Sequence, residues 1–291
     1  MSKCPYVLDR ASLVVHATTG GTRLHDLPAE PVIEAFREAG ALVFRGFGTE
    51  PGEFAAFTGR FSTATLGRVH AGQNRREVAA DEATSTVDLG KQHVGPHAEM
   101  GYSPIRPDLL WFYCARPPAE GGETTLFDGA DVWLKLPERL REKCASHDLV
   151  YSFEESGPEL WPLFTGVAAD RDETLELLAA LPGVSYTARD NGKIDITYQV
   201  PAAPLSRYHG VPAFANSIIP NESSGVTFAD GTPVRAADRL SILDTCEELV
   251  TLVDWQRGDV VMVDNSRMMH GRRPFSDPDR EIHVRMTTAA F

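Results

Sequence analysis

Long apolar runs are missing from this sequence, and no stretch approaches the ~18 apolar residues that a membrane-spanning helix needs. The opening MSKCPYVLDRASLVV lacks a basic flank followed by an apolar stretch and a small-residue cleavage site, so the expected compartment is the cytoplasm. Cysteine is scarce. The four in 291 residues, Cys4, Cys114, Cys144 and Cys246, are scattered and form no C-x-x-C pair, which argues for reduced structural thiols over a disulfide framework or a cysteine metal clip. Positive charge is in deficit: 28 Lys and Arg stand against 41 Asp and Glu, a net charge of −13. Neither nucleic acid nor an anionic membrane is drawn to such a surplus of carboxylates, so neither is expected as a partner. Several local signatures are also absent: G-x-x-x-x-G-K-[ST], G-x-G-x-x-G after a strand, H-E-x-x-H and G-x-S-x-G. Their absence removes the simple ATPase, dinucleotide-binding, zincin and α/β-hydrolase readings.

What is present is an ordinary globular balance, 42% hydrophobic and 24% charged. PVIEAFREAG, Pro31 to Gly40, places Val32, Ile33 and Phe36 on one helical face and stops at a glycine; a strand is expected in ALVFRGF, Ala41 to Phe47. Pro51 opens a second helix in which Phe54, Phe57 and Phe61 recur at spacings of three and four, a core stripe. Residues 62–96 are polar, broken by glycine and without a period, which suggests loops and a lid. From Asp108 onward short strand-like runs follow: DLLWFYCA, ETTLFDG, IDITYQV, PAFANSII and DVVMVD. Helical patterns interrupt them at Asp172 to Leu181 and from about Ala236 to Glu248. Many short strands between turn signals argue for a β-sandwich or barrel. With no linker between hydrophobic sections, the expected organisation is one domain over 1–291. It is mainly β with flanking helices, an antiparallel jelly roll with an insert at about 154–195.

The segment GPHAEMGYS, Gly95 to Ser103, carries the first chemistry. On an extended strand, side chains i and i+2 share a face, so His97 and Glu99 can reach one metal ion while Ala98 points away. A third ligand from elsewhere would complete a two-histidine, one-carboxylate face with three open positions, the geometry of non-haem Fe(II) oxygenases. Nine histidines among so many acids produce about one H-x-[DE] by chance, so the triplet alone carries no weight. A second piece changes this. The apolar strand Val260 to Val263 runs into Asp264-Asn265, His270 follows five residues on, and Arg280 stands ten residues beyond it. An iron oxygenase that uses a keto acid needs a cation for the far carboxylate of that co-substrate, and arginine offers two parallel hydrogen bonds.

The ordered set of ALVFRGF with its following helix, HAEM, GGETTLFDG, and GDVVMVDNSRMMHGRRPF up to Arg280 resembles the taurine dioxygenase-like (TauD/TfdA) family of Fe(II)/2-oxoglutarate oxygenases over most of the chain. Glutamate in the ligand triplet is similar to the clavaminate synthase branch. The resemblance implies a double-stranded β-helix core, Fe(II) held by His97, Glu99 and His270, and 2-oxoglutarate and O2 as co-substrates. It further implies Thr124 as a hydrogen-bonding partner of 2-oxoglutarate and Arg280 as its carboxylate clamp. Members often carry two arginines four apart, whereas Arg280 and Arg285 are five apart and would point to opposite faces. Arg285 stands as the alternative clamp or a substrate contact. Arg272 and Arg273 read as loop braces, and His283 as facing away from Ile282 and Val284 without a role. Met100, Tyr102, Ser103 and His93, together with the lid and the insert around Trp161 and Phe164, are the candidate pocket walls. Their mixture suits an amino acid or a small secondary metabolite.

The implied reaction is hydroxylation of an unactivated C–H bond with release of succinate and CO2; desaturation, cyclisation and epimerisation use the same oxidant. The presence of Glu99 argues against halogenation, which replaces the ligand carboxylate by a small residue. From other classes, a zinc hydrolase with two histidines and a glutamate, or a non-catalytic β-barrel binding protein, remains open.

Overall fold

Residues 6–9, 13–17, 21–66, 75–76, 78, 83–220 and 225–291 are described by the computed structural model. Helix α1 (Ala29–Ala39) buries Val32, Ile33 and Phe36 and ends where Gly40 turns left-handed at φ 74°, its N–H bonding Phe36 O. Helix α2 (Pro51–Gly59) starts with proline at its first position and a reciprocal Glu50–Glu53 cap. It seats Phe54 on Tyr113 and Phe57 against Trp111.

Those aromatics belong to an eight-stranded sheet. Its order is β1 (Tyr6–Asp9), β2 (Val14–Ala17), β3 (Ala41–Arg45), β14 (Val260–Asp264), β7 (Leu109–Arg116), β16 (Glu281–Ala289) and β4 (Ser62–Thr65), with β5 (Ser85–Thr86) also on β16. All its pairs are antiparallel except β2 with β3. Strand β7 is covered on both faces, which is why LLWFYCA reads as one apolar run. Leu109, Trp111 and Tyr113 pack under α1 and α2, while Leu110, Phe112 and Cys114 point to the opposite core. That second core is shared with a smaller antiparallel sheet, β13 (Thr251–Val253), β8 (Thr124–Asp128), β15 (Met268–Arg272) and β6 (Val94–His97). Val253, Leu126 and Met268 meet Val261, Val263 and Val284 across the gap. The two sheets form the jelly-roll core.

A third sheet, β10 (Val184–Ala188), β11 (Ile194–Val200), β9 (Leu149–Ser156) and β12 (Thr227–Phe228), carries α5 (Pro162–Thr165) and α6 (Arg171–Ala180) between β9 and β10. The outer face of the small sheet is covered by α3 (Gly129–Lys135), α4 (Glu138–Ser146) and α7 (Ala236–Glu248). Helix α3 was not foreseen, although its cap is written in the sequence: the Asp128 carboxylate accepts from Ala130 N at 2.9 Å.

Two expectations are corrected here. PAFANSII is not a strand; its backbone bonds to Gly129, Ala98 and Pro204, and among the described residues it pairs only through the isolated bridge of Pro212 with Leu205. The segment 62–96 is not wholly irregular, since it contains β4, β5 and β6; residues 67–74, 77 and 79–82 lie outside the described residues. Cys114, Cys144 and Cys246 are buried and free, and burial pushes each thiol up to about 12; Cys4 lies outside the described residues. Among the described residues, no helix is long and apolar enough to cross a membrane.

Candidate active site

Antiparallel pairing of β6 with β15 makes His97 and His270 direct register partners, their ring centroids 4.2 Å apart. His97 Nδ1–H donates to Gly95 O at 2.9 Å, a tautomer that leaves the Nε2 lone pair free. The Nε2 atoms of His97 and His270 lie 3.8 and 3.6 Å from Glu99 Oε2, and one donor atom from each of the three residues falls within 4.8 Å of the others.

The strand stops at His97, so Glu99 does not reach the site by i, i+2 alternation. It sits in a turn that continues into Met100 at φ 52°. That turn is pinned from far along the chain. Glu99 N–H donates to Asn265 Oδ1 at 2.8 Å, and Asn265 Nδ2 donates to the carbonyls of Glu99 and Pro107, both at 2.9 Å. Ala98 packs with Ala213 and Ala215, and its carbonyl accepts from Ser217 Oγ at 2.7 Å. Asn265→Ala leaves buried Glu99 and Pro107 groups unsatisfied; it is expected to cost about 3 kcal/mol of unfolding free energy and to weaken metal binding, as urea denaturation and metal titration will read.

Burial alone would raise the Glu99 carboxyl, but Arg75, then His97 and His270, outweigh it and hold the group well below the usual carboxylate range. Burial, and then His97, lowers His270 to about 3, so it is a neutral imidazole at neutral pH. An ionised carboxylate and two imidazoles converging from one side match the donor set that Fe(II) prefers, and His270 binds a metal there without first losing a proton. His270 Nδ1 has no hydrogen-bond partner among the described residues, and the ring rests 5.5 Å from Phe112.

The three residues open onto a cavity of about 290 Å³. Thr124, Gly271, Arg272, Arg280 and Val284 line one part of it; Arg75, Met100 and Tyr102 line the part near Glu99. Arg280 is 9% exposed, donates from Nε to Gly122 O at 3.1 Å, and lies over the Phe275 ring at 4.9 Å. Burial, then the neighbouring Arg272, lowers it to about 10, so it stays cationic at neutral pH. Arg272 is also buried, with its guanidinium donating to Asp88 O and Gln92 O and stacking 5.3 Å from Phe275.

Gly122 makes the approach of Arg280 possible. Its φ is +70°, and an added Cβ would lie 2.9 Å from Arg280 Nε and 3.0 Å from Cδ. Gly122→Ala is therefore expected to displace Arg280 and to cost the fold about 1–2 kcal/mol for the left-handed alanine, as urea denaturation will measure.

Several expected site residues lie elsewhere. Arg285 leaves the opposite face of β16, beside Trp111, and donates to Thr84 Oγ1 at 2.8 Å; it does not line the cavity, because five residues along a strand reverse the face. Ser103 is fully buried, its hydroxyl donating to Leu163 O and accepting from Ile105 N, so it braces a turn and forms no pocket wall. His93 is exposed and outside the cavity lining. Trp161 and Phe164 are core residues, with Trp161 Nε1 donating to Ser156 O at 3.0 Å. His283 faces away from Ile282 and Val284 and bonds Glu281 at 2.8 Å. Arg273 pairs with Glu247 at the surface. Two cationic cavity residues were not singled out from the sequence: Arg75, covered only as part of the 62–96 lid, and Arg272, read only as a loop brace; Phe112, Ser217, Pro220, Gly271 and Val284 also line the cavity without having been expected there. Arg272 was detectable from its i, i+2 spacing to His270; Arg75 has no comparable signal.

Residues 16–287 match the family described as taurine catabolism dioxygenase TauD, TfdA family. The chain is similar to a clavaminate synthase-like protein of Arabidopsis thaliana, 27% identical over 84% of this chain and 81% of that one. It is similar also to the dapdiamide synthesis protein DdaC of Enterobacter agglomerans, 22% identical over 100% of this chain and 94% of that one. Among solved structures, PvcB from Pseudomonas aeruginosa superposes with a TM-score of 0.65 at 15% identity, covering 99% of this chain and 93% of that one.

Proposed function

This chain belongs to the TauD/TfdA family and is an Fe(II)/2-oxoglutarate-dependent dioxygenase; from that premise we propose that it hydroxylates an unactivated C–H bond of an amino acid or small secondary metabolite. In this reading His97, Glu99 and His270 are the iron ligands, and Arg280 with Thr124 holds the co-substrate. The observation that carries it is the opening of the three-residue cluster onto the same cavity as Arg280 and Thr124. The name of the DdaC relative, a dapdiamide synthesis protein, supports a small metabolite as substrate.

Iron, when bound with 2-oxoglutarate and O2, supplies the oxidant, and the co-substrate leaves as succinate and CO2. The chain's own residues bind, orient and exclude water. Arg280 presents a planar fork to the far carboxylate of 2-oxoglutarate, and Arg272 adds a second positive charge beside it. Thr124 offers a hydroxyl on the facing strand, where it is the register partner of Arg272. Phe112, Val87 and Val284 give the cavity an apolar wall that keeps water from the reacting carbon. Met100 and Tyr102 face the substrate. Burial, then Glu99, pushes the Tyr102 phenol up to about 12, so it donates a hydrogen bond and does not serve as a base.

Two buried arginines beside the metal residues have no task in a zinc hydrolase, which argues against that reading. The net charge of −13 and the buried free thiols support a cytoplasmic enzyme with no nucleic-acid or membrane partner. Residues 1–291 act as one oxygenase unit in this reading, with 62–96 as its lid and about 154–195 as its insert. An anaerobic titration with Fe(II) and then 2-oxoglutarate tests the proposal through the visible charge-transfer band of a chelated keto acid. Its appearance is the expected result; its absence with Fe(II) demonstrably bound overturns the assignment.

A further inference from the structure

The two carboxylate oxygens of Glu99 face different partners. Oε2 faces Nε2 of both histidines, at 3.8 and 3.6 Å, whereas Oε1 faces Nη2 of Arg75 at 3.4 Å. Arg75 comes from the stretch between β4 and β5, its side chain is 11% exposed, and it lines the cavity. Among the described residues its Nε and Nη1 have no hydrogen-bond partner, and its guanidinium meets only Glu99, through Nη2.

That division of oxygens bears on how many metal positions the protein occupies. A carboxylate free to rotate can grip a cation through both oxygens, whereas a two-histidine, one-carboxylate face leaves three positions open only if each residue gives one atom. A keto acid bound through two atoms uses two of those positions, and the third is needed for O2. We propose that Arg75 is a positioning residue that holds Glu99 Oε1 away from the metal, so that Glu99 gives one oxygen only and the third position stays open. The proposal rests on reading His97, Glu99 and His270 as the iron ligands. It differs from simple neutralisation of a buried carboxylate, which would make every ligand bind worse when Arg75 is lost.

The test uses the full-length protein and two variants, Arg75→Met and Arg75→Lys. Mn(II) affinity is read from the electron paramagnetic resonance of the free ion. Affinity for 2-oxoglutarate is read from the charge-transfer band of the anaerobic Fe(II) complex. In Arg75→Met the second carboxylate oxygen is released to the metal. Because the released oxygen adds a contact to the metal, Mn(II) should then bind within about threefold of wild type or more tightly, while 2-oxoglutarate, which must compete with that oxygen for a position, should lose roughly tenfold or more in affinity. Arg75→Lys keeps the charge and should recover 2-oxoglutarate affinity to within about threefold of wild type. Parallel loss of Mn(II) and 2-oxoglutarate affinity in either variant overturns the proposal, and so does unchanged 2-oxoglutarate affinity in Arg75→Met. If Arg75→Met does not fold, Arg75→Gln, which also removes the charge, takes its place under the criteria stated for Arg75→Met. A wild-type protein that binds Mn(II) but gives no band with Fe(II) and 2-oxoglutarate overturns the oxygenase reading instead.

Discussion

Glu99→Ala is expected to abolish succinate release and to weaken metal binding by at least ~100-fold, because it removes a proposed ligand where loss of a ligand's partner alone costs about 10- to 100-fold. It also strands Arg75, a guanidinium that is 11% exposed and meets Glu99 at 3.4 Å. Breaking such a buried pair from one side is expected to cost about 3 kcal/mol of stability. Glu99→Gln separates the two effects. The amide keeps the volume and an acceptor for Arg75 but is a poor ligand, so activity is lost while most of the stability remains. Because the folded-state carboxyl lies below its ordinary value, Glu99 contributes stability above the usual carboxylate range that is lost on acidification, and both variants lack that part of the acid response. Succinate assays and thermal unfolding at two pH values check this, and full activity in Glu99→Ala removes the residue from the ligand set.

Arg280→Ala is expected to leave metal binding largely intact and to weaken 2-oxoglutarate binding by about 3 kcal/mol, roughly a hundredfold. The size follows from burial: the co-substrate carboxylate would enter a site with little water to replace the lost fork. Arg280→Lys should recover only part of the loss, since an ammonium is a point charge and cannot form two parallel hydrogen bonds. In the wild type Arg280 stays charged at neutral pH, so its contribution to affinity should be flat there and fall only as pH rises toward about 10. Titrations of the anaerobic Fe(II) complex across that range read both effects. Unchanged affinity in Arg280→Ala would sink the clamp assignment, and Arg285 cannot inherit it, because its side chain leaves the far face of β16.

Much of the local structure was legible in the chain. Val32, Ile33 and Phe36 with Gly40 marked α1, and Pro51 with Phe54 and Phe57 marked α2. Helix α7 spans Ala236–Glu248, the range expected from its pattern. The five-residue spacing of Arg280 and Arg285 foretold their opposite faces. PAFANSII misled because apolar residues without a partner strand read like a strand in one dimension.

The sequence by itself determined which residues are available for the chemistry and their order: the HAE triplet, His270 beyond an apolar strand, and Arg280 after it. It also determined the periodicity that makes each helix and strand, since a repeat depends only on neighbours in the chain. The tertiary structure decided what meets what. Antiparallel registration set His97 opposite His270, and the reach of Asn265 over 166 residues pinned the Glu99 turn. It likewise turned Arg75 onto one oxygen of Glu99 and put Arg272 in the cavity wall. None of these contacts has a period, because each depends on how two sheets close over one core and bring distant segments within a few ångströms.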